Sequence, residues 1–404
     1  MTESRSMQTR TLLLYAQDSR GLGHITRALT IARRILVAYP TAVAYIATKS
    51  PVASNFTLPE RCDYIKLPTR LTPGTVRQTV DEEEAAIRRF RSIRSRMLRE
   101  AAQGLAPALV LVDHEPLGSG GEFRDGLYAL KAQYPATRFV YGLRDIMDDP
   151  GRIRALWQEL GVYDAFENLY DGIAVYGWPR LYDVSQAYAI PESVRPKLHY
   201  CGYVVRDAPA CDAVAVRREH GLAEGGPLVL ATVGSGSDGY PVLDAVLPAL
   251  GRLRADFPDL VGMVVTGPLM PVAQQAALEA RTTTWCRVVP RADTFRLMRA
   301  SDAILSMGGY NSVCEALSTA RPLVIVPRET HKVEQAIRAE LLAARGLARC
   351  IHPNALNPER LAEALKWALC RDPQAHARRM HEIIPSFDGA ARLTAYLSRW
   401  LGAD

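Results

Sequence analysis

No stretch of the chain reaches the roughly 18 consecutive apolar residues of a membrane-spanning helix. Residues 1–10 lack the apolar core of a secretion signal, because the run Thr11–Ala16 is short and leads into a glycine turn. A cytoplasmic protein is therefore expected. Cysteine is sparse: seven thiols, at Cys62, Cys201, Cys211, Cys286, Cys314, Cys350 and Cys370, are odd in number and form no C-x-x-C pair. Neither a zinc site nor a disulfide framework is indicated. Lysine is scarce, so the net charge of +6 comes almost wholly from arginine. There is no basic tail and no aromatic–basic module, which argues against nucleic acid as a partner. Low-complexity tracts are missing too, since the 28 glycines and 26 prolines are scattered. That excludes disordered and collagen-like chains.

What is present is a soluble-protein composition, 48% hydrophobic and 23% charged, over 404 residues. This length suggests two domains of about 200 residues each. Strand-like apolar runs occur at Thr11–Gln17, Ala42–Thr48, Cys62–Leu67, Ala108–Asp113, Arg138–Leu143 and Gly172–Tyr176. A second series occupies Pro227–Val233, Val261–Thr266, Cys286–Val289, Ala303–Ser306 and Leu323–Val326. Amphipathic helical stretches fill the gaps, among them Ile25–Tyr39, Tyr240–Phe257, Asn311–Thr319 and Lys332–Ala344. Unbroken Val/Ile/Leu strands between helices imply parallel sheets covered on both faces. The expected fold class is α/β, with two doubly wound Rossmann-like domains facing a cleft. The series breaks at Cys201–Ala210, which places domains at 1–205 and 206–385, with a last helix over 386–404 crossing back onto the first domain.

One helix is unusual. Asp81-Glu82-Glu83-Glu84 opens a segment where Ile87, Phe90, Ile93, Met97 and Ala101 recur at helical spacing. Arginines 88, 89, 91, 94, 96 and 99 fill much of the rest. Acid first and base last complements the helix dipole. The face is either solvated and salt-bridged, or a peripheral contact for an anionic membrane or phosphorylated acceptor.

Strand one runs into Asp18-Ser19-Arg20-Gly21-Leu22-Gly23-His24 and then a helix. Gly21 and Gly23 let the backbone turn sharply beneath the positive end of that helix. The loop is neither a dinucleotide fingerprint nor a P-loop. His24 stands where side chains enter the cleft, either as a helix cap or as a base with suitable unperturbed pKa. In a sheet of order 3-2-1-4-5 the end of strand four, Val112-Asp113-His114-Glu115, lies beside it. Asp113 is the favoured orienting partner, with His114 or Glu115 contacting an acceptor.

The second domain opens with a strand running into Gly234-Ser235-Gly236-Ser237-Asp238-Gly239, a phosphate cradle of backbone N–H and hydroxyl donors. Further on, Gly308 and Gly309 admit a diphosphate to a helix N-terminus where Asn311 and Ser312 add donors. Glu315 lies one turn beyond Ser312 on the same face, placed to accept from two vicinal ribose hydroxyls. Glu334 and Gln335 follow the next strand, within reach of sugar hydroxyls.

Gly309-Tyr310-Asn311-Ser312, Glu315, Pro322, Pro327 and Glu334-Gln335 resemble the donor-binding signature of GT-B glycosyltransferases, both the plant secondary-product type and the peptidoglycan N-acetylglucosaminyltransferase type (family 1 and family 28). The segments 17–24, 112–118, 142–146 and 266–268 are similar to a bacterial group of predicted GT-B transferases close to the peptidoglycan enzyme. This resemblance implies that Asn311 and Ser312 meet the diphosphate of a UDP-sugar, Glu315 its ribose, and Glu334-Gln335 the transferred sugar. Backbone near Arg291 would meet the base. It also implies an inverting transfer with His24 as base and Asp113 in support. Met307 stands where plant-type enzymes carry a phosphate-binding histidine, leaving the charge to backbone amides, the 235–239 loop and Arg328. No metal and no cofactor beyond the donor substrate are expected, and Asp148-Asp149 reads as a loop or helix cap. Two other readings share the donor site: a nucleotide-sugar 2-epimerase, suggested by Arg328-Glu329-Thr330, and a catalytically silent nucleotide-sugar-binding protein.

Overall fold

The computed structural model describes residues 9–17, 23–51, 53–69, 79–328 and 333–402. The chain divides into two compact units, one running to Val204 and resuming at Asp388, the other spanning Val205–Phe387.

The first unit contains, in order, β1 (Arg10–Ala16), α1 (Gly23–Ala38), β2 (Ala42–Thr48), β3 (Cys62–Lys66), α2 (Val80–Leu105), β4 (Leu109–Asp113) and α3 (Arg124–Gln133). It continues with β5 (Arg138–Arg144), α4 (Pro150–Glu159), α5 (Val162–Asn168), β6 (Gly172–Tyr176), α6 (Val184–Ala187) and β7 (Leu198–Tyr200). The second unit runs α7 (Ala213–Glu219), β8 (Leu228–Thr232), α8 (Tyr240–Leu253), β9 (Val261–Val265), α9 (Val272–Glu279), β10 (Cys286–Val289) and α10 (Thr294–Ala300). Then come β11 (Ala303–Ser306), α11 (Tyr310–Ser318), β12 (Leu323–Ile325), α12 (Glu334–Ala344), β13 (Ala348–Cys350), α13 (Pro358–Leu369) and α14 (Pro373–Ile383). A last helix, α15 (Gly389–Leu401), rejoins the first unit and packs against α1.

Both sheets are parallel. Their orders are β3-β2-β1-β4-β5-β6-β7 and β10-β9-β8-β11-β12-β13. Every residue of β4, β6, β8 and β9 is buried. That is the physical reason their sequences are apolar rather than alternating up to the carboxyl ends, where β4 closes on Asp113 and β8 on Thr232. In each sheet the order reverses beside the first strand, so the connections that leave the carboxyl ends of the paired strands β1 and β4, and likewise of β8 and β11, run to opposite sides. Such switch points are where doubly wound sheets bind ligands.

The two strands absent from the sequence reading, β7 and β13, are three residues long and lie at sheet edges. The arginine-rich helix α2 also differs from expectation. Its capping box is built by Thr79 and Glu82, but its buried line is Arg94, Leu98 and Ala102. Ile87 and Met97 stay exposed. Arg94 turns inward because a buried carboxylate, Glu122, accepts from its Nε at 2.6 Å. No helix among the described residues is long and apolar enough to cross a membrane.

Candidate active site

In the first unit the switch point brings together the start of α1 and the end of β4. His24 is the second residue of α1, and Asp113 is the last of β4. His24 Nδ1 lies 2.6 Å from Asp113 Oδ2, and the imidazole retains 19% exposure while the carboxylate is buried. Arg27, one turn along α1, donates from Nε to Asp113 Oδ1 at 2.9 Å and from a terminal nitrogen to Oδ2 at 2.7 Å. The same terminal nitrogen sits 2.9 Å from His24 Nδ1. Burial would raise the Asp113 pKa, but the Arg27 guanidinium and the His24 contact outweigh it and hold the carboxyl far below its usual range. His24 is pushed below its ordinary value, first by burial and then by Arg27 and Arg144, against the opposing pull of Asp113. The result is a neutral imidazole beside a fixed carboxylate. With Nδ1 donating to Asp113, Nε2 is left as an acceptor for a proton.

His114 adopts a left-handed backbone (φ 72) and its ring packs on His24 at 4.7 Å between centroids. Its carbonyl accepts from the Tyr141 hydroxyl at 2.6 Å. Glu115 accepts from the Gly120 backbone N–H at 3.0 Å, closing the turn that follows β4. Gly23 begins α1, whereas Gly21 lies outside the described residues. Asp149 caps α4 by accepting from the Arg152 N–H.

In the second unit two glycine turns interlock. Gly236 (φ +93) would place a Cβ 2.2 Å from the Thr266 carbonyl oxygen, and Gly267 (φ +86) one 2.5 Å from that of Gly234. Only glycine allows this approach. The loop Gly234-Ser235-Gly236-Ser237 is thereby fixed against the end of β9, with the Leu269 N–H donating to the Ser235 carbonyl. Arg328 pairs with Asp238 of this loop at 3.1 Å.

The turn after β11 carries Gly308 (φ +88) and Gly309, which starts α11 without a side-chain cap. Arg338 on α12, buried, donates to the Gly308 carbonyl at 2.7 Å and stacks on Tyr310. Asn311 and Ser312 occupy the first turn of α11, and Glu315 follows one turn later, 9% exposed. Arg206 donates to Glu315 Oε1 at 2.7 Å and to Asp293 Oδ1 at 2.6 Å, and lies over the Phe295 ring. Burial raises the Glu315 pKa, and Arg206 offsets part of that rise. Asp293 caps α10, two residues after the exposed Arg291. Glu334 and Gln335 open α12, both buried, and Gln335 Oε1 accepts from the Arg328 backbone N–H at 3.0 Å.

Three arginines that hold these sites went unnoticed in the sequence. Arg27 and Arg338 lie inside amphipathic helices, where an arginine ordinarily marks the solvent face. Arg206 lies in Cys201–Ala210, where the strand series breaks and the domain boundary is expected. The one usable signal is spacing, since Arg27 stands three residues after His24 and shares its helix face.

Comparison with known proteins bears on the family and the fold. Residues 233–392 match the glycosyltransferase family 28 C-terminal domain. An uncharacterized glycosyltransferase of Methanopyrus kandleri is 26% identical over 195 residues, which is 47% of this chain and 52% of that protein. The chain thus spans about half the length of that relative. A second, from Methanosarcina acetivorans, is 23% identical over 95% of this chain and 94% of its own. A UDP-N-acetylglucosamine–N-acetylmuramyl-(pentapeptide) pyrophosphoryl-undecaprenol N-acetylglucosamine transferase of Bartonella henselae is 40% identical over 80 residues, 19% of this chain and 21% of that one. Among solved structures, the glycotransferase of kitacinnamycin aligns with a TM-score of 0.68 at 17% identity, covering 98% of this chain and 100% of that one. The calicheamicin glycosyltransferase CalG4 gives 0.66 at 18%, covering 98% and 99%. The fold of this chain is that of the GT-B glycosyltransferases.

Proposed function

We propose that this chain, a glycosyltransferase of the GT-B type with a family 28 C-terminal domain, moves a sugar from a UDP-sugar to an acceptor hydroxyl with inversion at the anomeric carbon. The observation that carries the reading is the 2.6 Å contact between His24 and Asp113 at the switch point of the first sheet. His24 Nε2 takes the proton of the acceptor hydroxyl, whose oxygen displaces the nucleotide diphosphate in one step. Asp113 fixes the imidazole tautomer and stabilises the imidazolium that forms. Glu315 accepts from the ribose hydroxyls, and Glu334 and Gln335 bind the transferred sugar. Backbone near Arg291 meets the base. The departing diphosphate is met by the Gly308-Gly309 turn with Asn311 and Ser312, by the Gly234–Ser237 loop and by Arg328. Fixed N–H dipoles, a helix N-terminus and a guanidinium supply the charge stabilisation that a metal ion gives elsewhere. The choice of UDP rests on the donor named for the Bartonella relative and on the signature quoted above.

A thermal-shift panel of UDP-, GDP- and TDP-sugars tests the donor assignment. Stabilisation by UDP-sugars above the others is expected, and the absence of stabilisation by any nucleotide sugar would overturn the reading. Incubation with the stabilising donor alone, followed by analysis of the sugar, tests the chemistry. A new sugar isomer formed without acceptor would replace the transferase by an epimerase.

A further inference from the structure

We infer that the first unit holds a subsite for an anionic group of the acceptor, built on Lys49 and Gln17, so that the acceptor is a hydroxyl compound bearing a phosphate or carboxylate. The word acceptor rests on the transferase reading; the subsite itself does not.

Lys49 follows the last residue of β2, and Gln17 follows the last of β1. Because Ala16 and Thr48 are register partners, the two stand side by side at the carboxyl edge of the sheet. Lys49 is only 8% exposed. Its carbonyl is pinned by the Thr69 hydroxyl at 2.6 Å and the Lys66 ammonium at 3.4 Å. Its own ammonium has neither a hydrogen bond nor an ion pair among the described residues.

The other lysines of this unit, half-buried Lys131 and Lys197 and exposed Lys66, behave differently. Lys197 gives its ammonium to the carbonyls of Phe166, Glu167 and Tyr170, Lys131 to that of Leu169, and Lys66 to that of Leu67. The Lys49 side chain is largely buried while its ammonium has no such partner, so a ligand that supplies the counter-charge is favoured there.

The neighbouring carboxylates are already engaged. Glu122 accepts from Tyr15 at 2.7 Å and from Arg94 at 2.6 Å, and Glu115 accepts from the Gly120 N–H. Burial is the first cause of the lowered Lys49 pKa; the Glu122 and Glu115 charges oppose it, and Arg94 and Arg91 add to it. An anion arriving here reverses that shift. Beside it, Gln17 Nε2 donates to the Ser119 hydroxyl at 3.1 Å, while its buried carbonyl oxygen accepts nothing. An ammonium in need of an anion next to a carbonyl in need of a donor suits an oxyanion carrying an adjacent hydroxyl. The subsite shares the turn after β4 with the His24–Asp113 pair, through Glu115 and Ser119.

Calorimetry on the full chain with glycerol 3-phosphate, glycerate and glycerol tests this. Binding of one or both anions but not of glycerol is expected, and the stronger of the two identifies the group. Lys49→Met should weaken that binding by about tenfold or more, the worth of a charged hydrogen bond, whereas Lys49→Arg should largely retain it. Equal binding by wild type and Lys49→Met would mean an adventitious ion only and overturn the subsite, as would no binding of either anion. Should Lys49→Met fail to fold, acetylation of the wild-type lysines mapped by mass spectrometry gives the same answer: the anion must protect Lys49 selectively, and unchanged labelling overturns the proposal. UDP binding to the wild-type chain tests the transferase reading separately.

Discussion

At the scale of single residues, the decisive feature is that Asp113 is shared. Its carboxylate accepts from both Arg27 and His24, so a buried guanidinium offsets part of the charge that favours imidazolium. Burial first, with Arg27 and Arg144 adding to it, keeps His24 neutral to lower pH than an ordinary histidine. Replacing Arg27 with Met removes a cation and frees Asp113 to support imidazolium, so the His24 pKa should rise. An NMR titration, with the resonance assigned by His24→Gln, reads this, and an unchanged midpoint would show that Arg27 does not set it. The variant should also be destabilised by about 3–5 kcal/mol, the usual effect of removing one partner of a buried ion pair. The sign for the wild type follows from linkage. A depressed histidine binds fewer protons folded than unfolded, so stability falls as pH drops through roughly 6.5; Asp113, depressed as a carboxyl, contributes stability above roughly 3.9 that is lost below it. Catalysis has its own test. His24→Ala should lower turnover by about 10²–10⁴-fold with donor affinity unaltered, and Asp113→Asn should lower it less. Full activity in His24→Ala would sink the mechanism. The pairing of His24 with Asp113 was legible in the sequence because strand order alone puts the two together. Arg27 was not, because its burial depends on a carboxylate 86 residues away.

At the scale of elements, the donor half of the candidate site depends on turns and on one helix. Glycine spacing marked the turns after β8 and β11 in the sequence. It did not reveal that Gly236 and Gly267 interlock, which only the parallel pairing of β8 with β9 produces. Gly236→Ala should therefore do more than stiffen a loop. It sets a methyl against the Thr266 carbonyl at positive φ, and a loss of about 1–3 kcal/mol of stability is expected from the backbone conformation alone. A denaturant midpoint equal to wild type would show that the loop adapts. Helix α11 presents Glu315 already held by Arg206 through one oxygen. Glu315→Ala should weaken UDP binding by roughly 1.5–3 kcal/mol, the value of hydrogen bonds to a charged group, and weaken 2′-deoxy-UDP less. Arg206→Met leaves the carboxylate buried without its cation and raises its pKa further. UDP affinity should then be reduced and decline more steeply as pH is lowered. Calorimetry at two pH values checks both, and unchanged UDP affinity in Glu315→Ala would remove this residue from the site. The edge strands β7 and β13 escaped the sequence reading for a plain reason. Three residues cannot display a period, and the pairing with β6 and β12 that makes them strands is a tertiary fact.

At the scale of the whole molecule, the chain leaves the first unit at Val204 and re-enters it at Asp388. The two residues form an antiparallel bridge, and the Gly389 N–H donates to the Tyr203 carbonyl. A Cβ on Gly389 would sit 2.5 Å from the Gly202 carbonyl oxygen, so the return point demands glycine. Beyond it, α15 turns Leu393, Leu397 and Leu401 inward and packs against α1, while Tyr396 stacks on His199 at 4.1 Å and 6°. The first unit therefore requires residues that return 184 positions after Val204, and the helix that presents His24 is supported by α15. Fully burying each leucine is worth about 1.5–3 kcal/mol, so the three together rival the stability of an ordinary domain. Removing residues 388–404 should accordingly lower the melting temperature of the first unit sharply and expose the α1 face to proteolysis, leaving the second unit folded. Calorimetry should resolve two transitions in the truncated chain, with only the upper one raised by UDP. A single transition at the wild-type temperature would mean that α15 contributes nothing to the first unit.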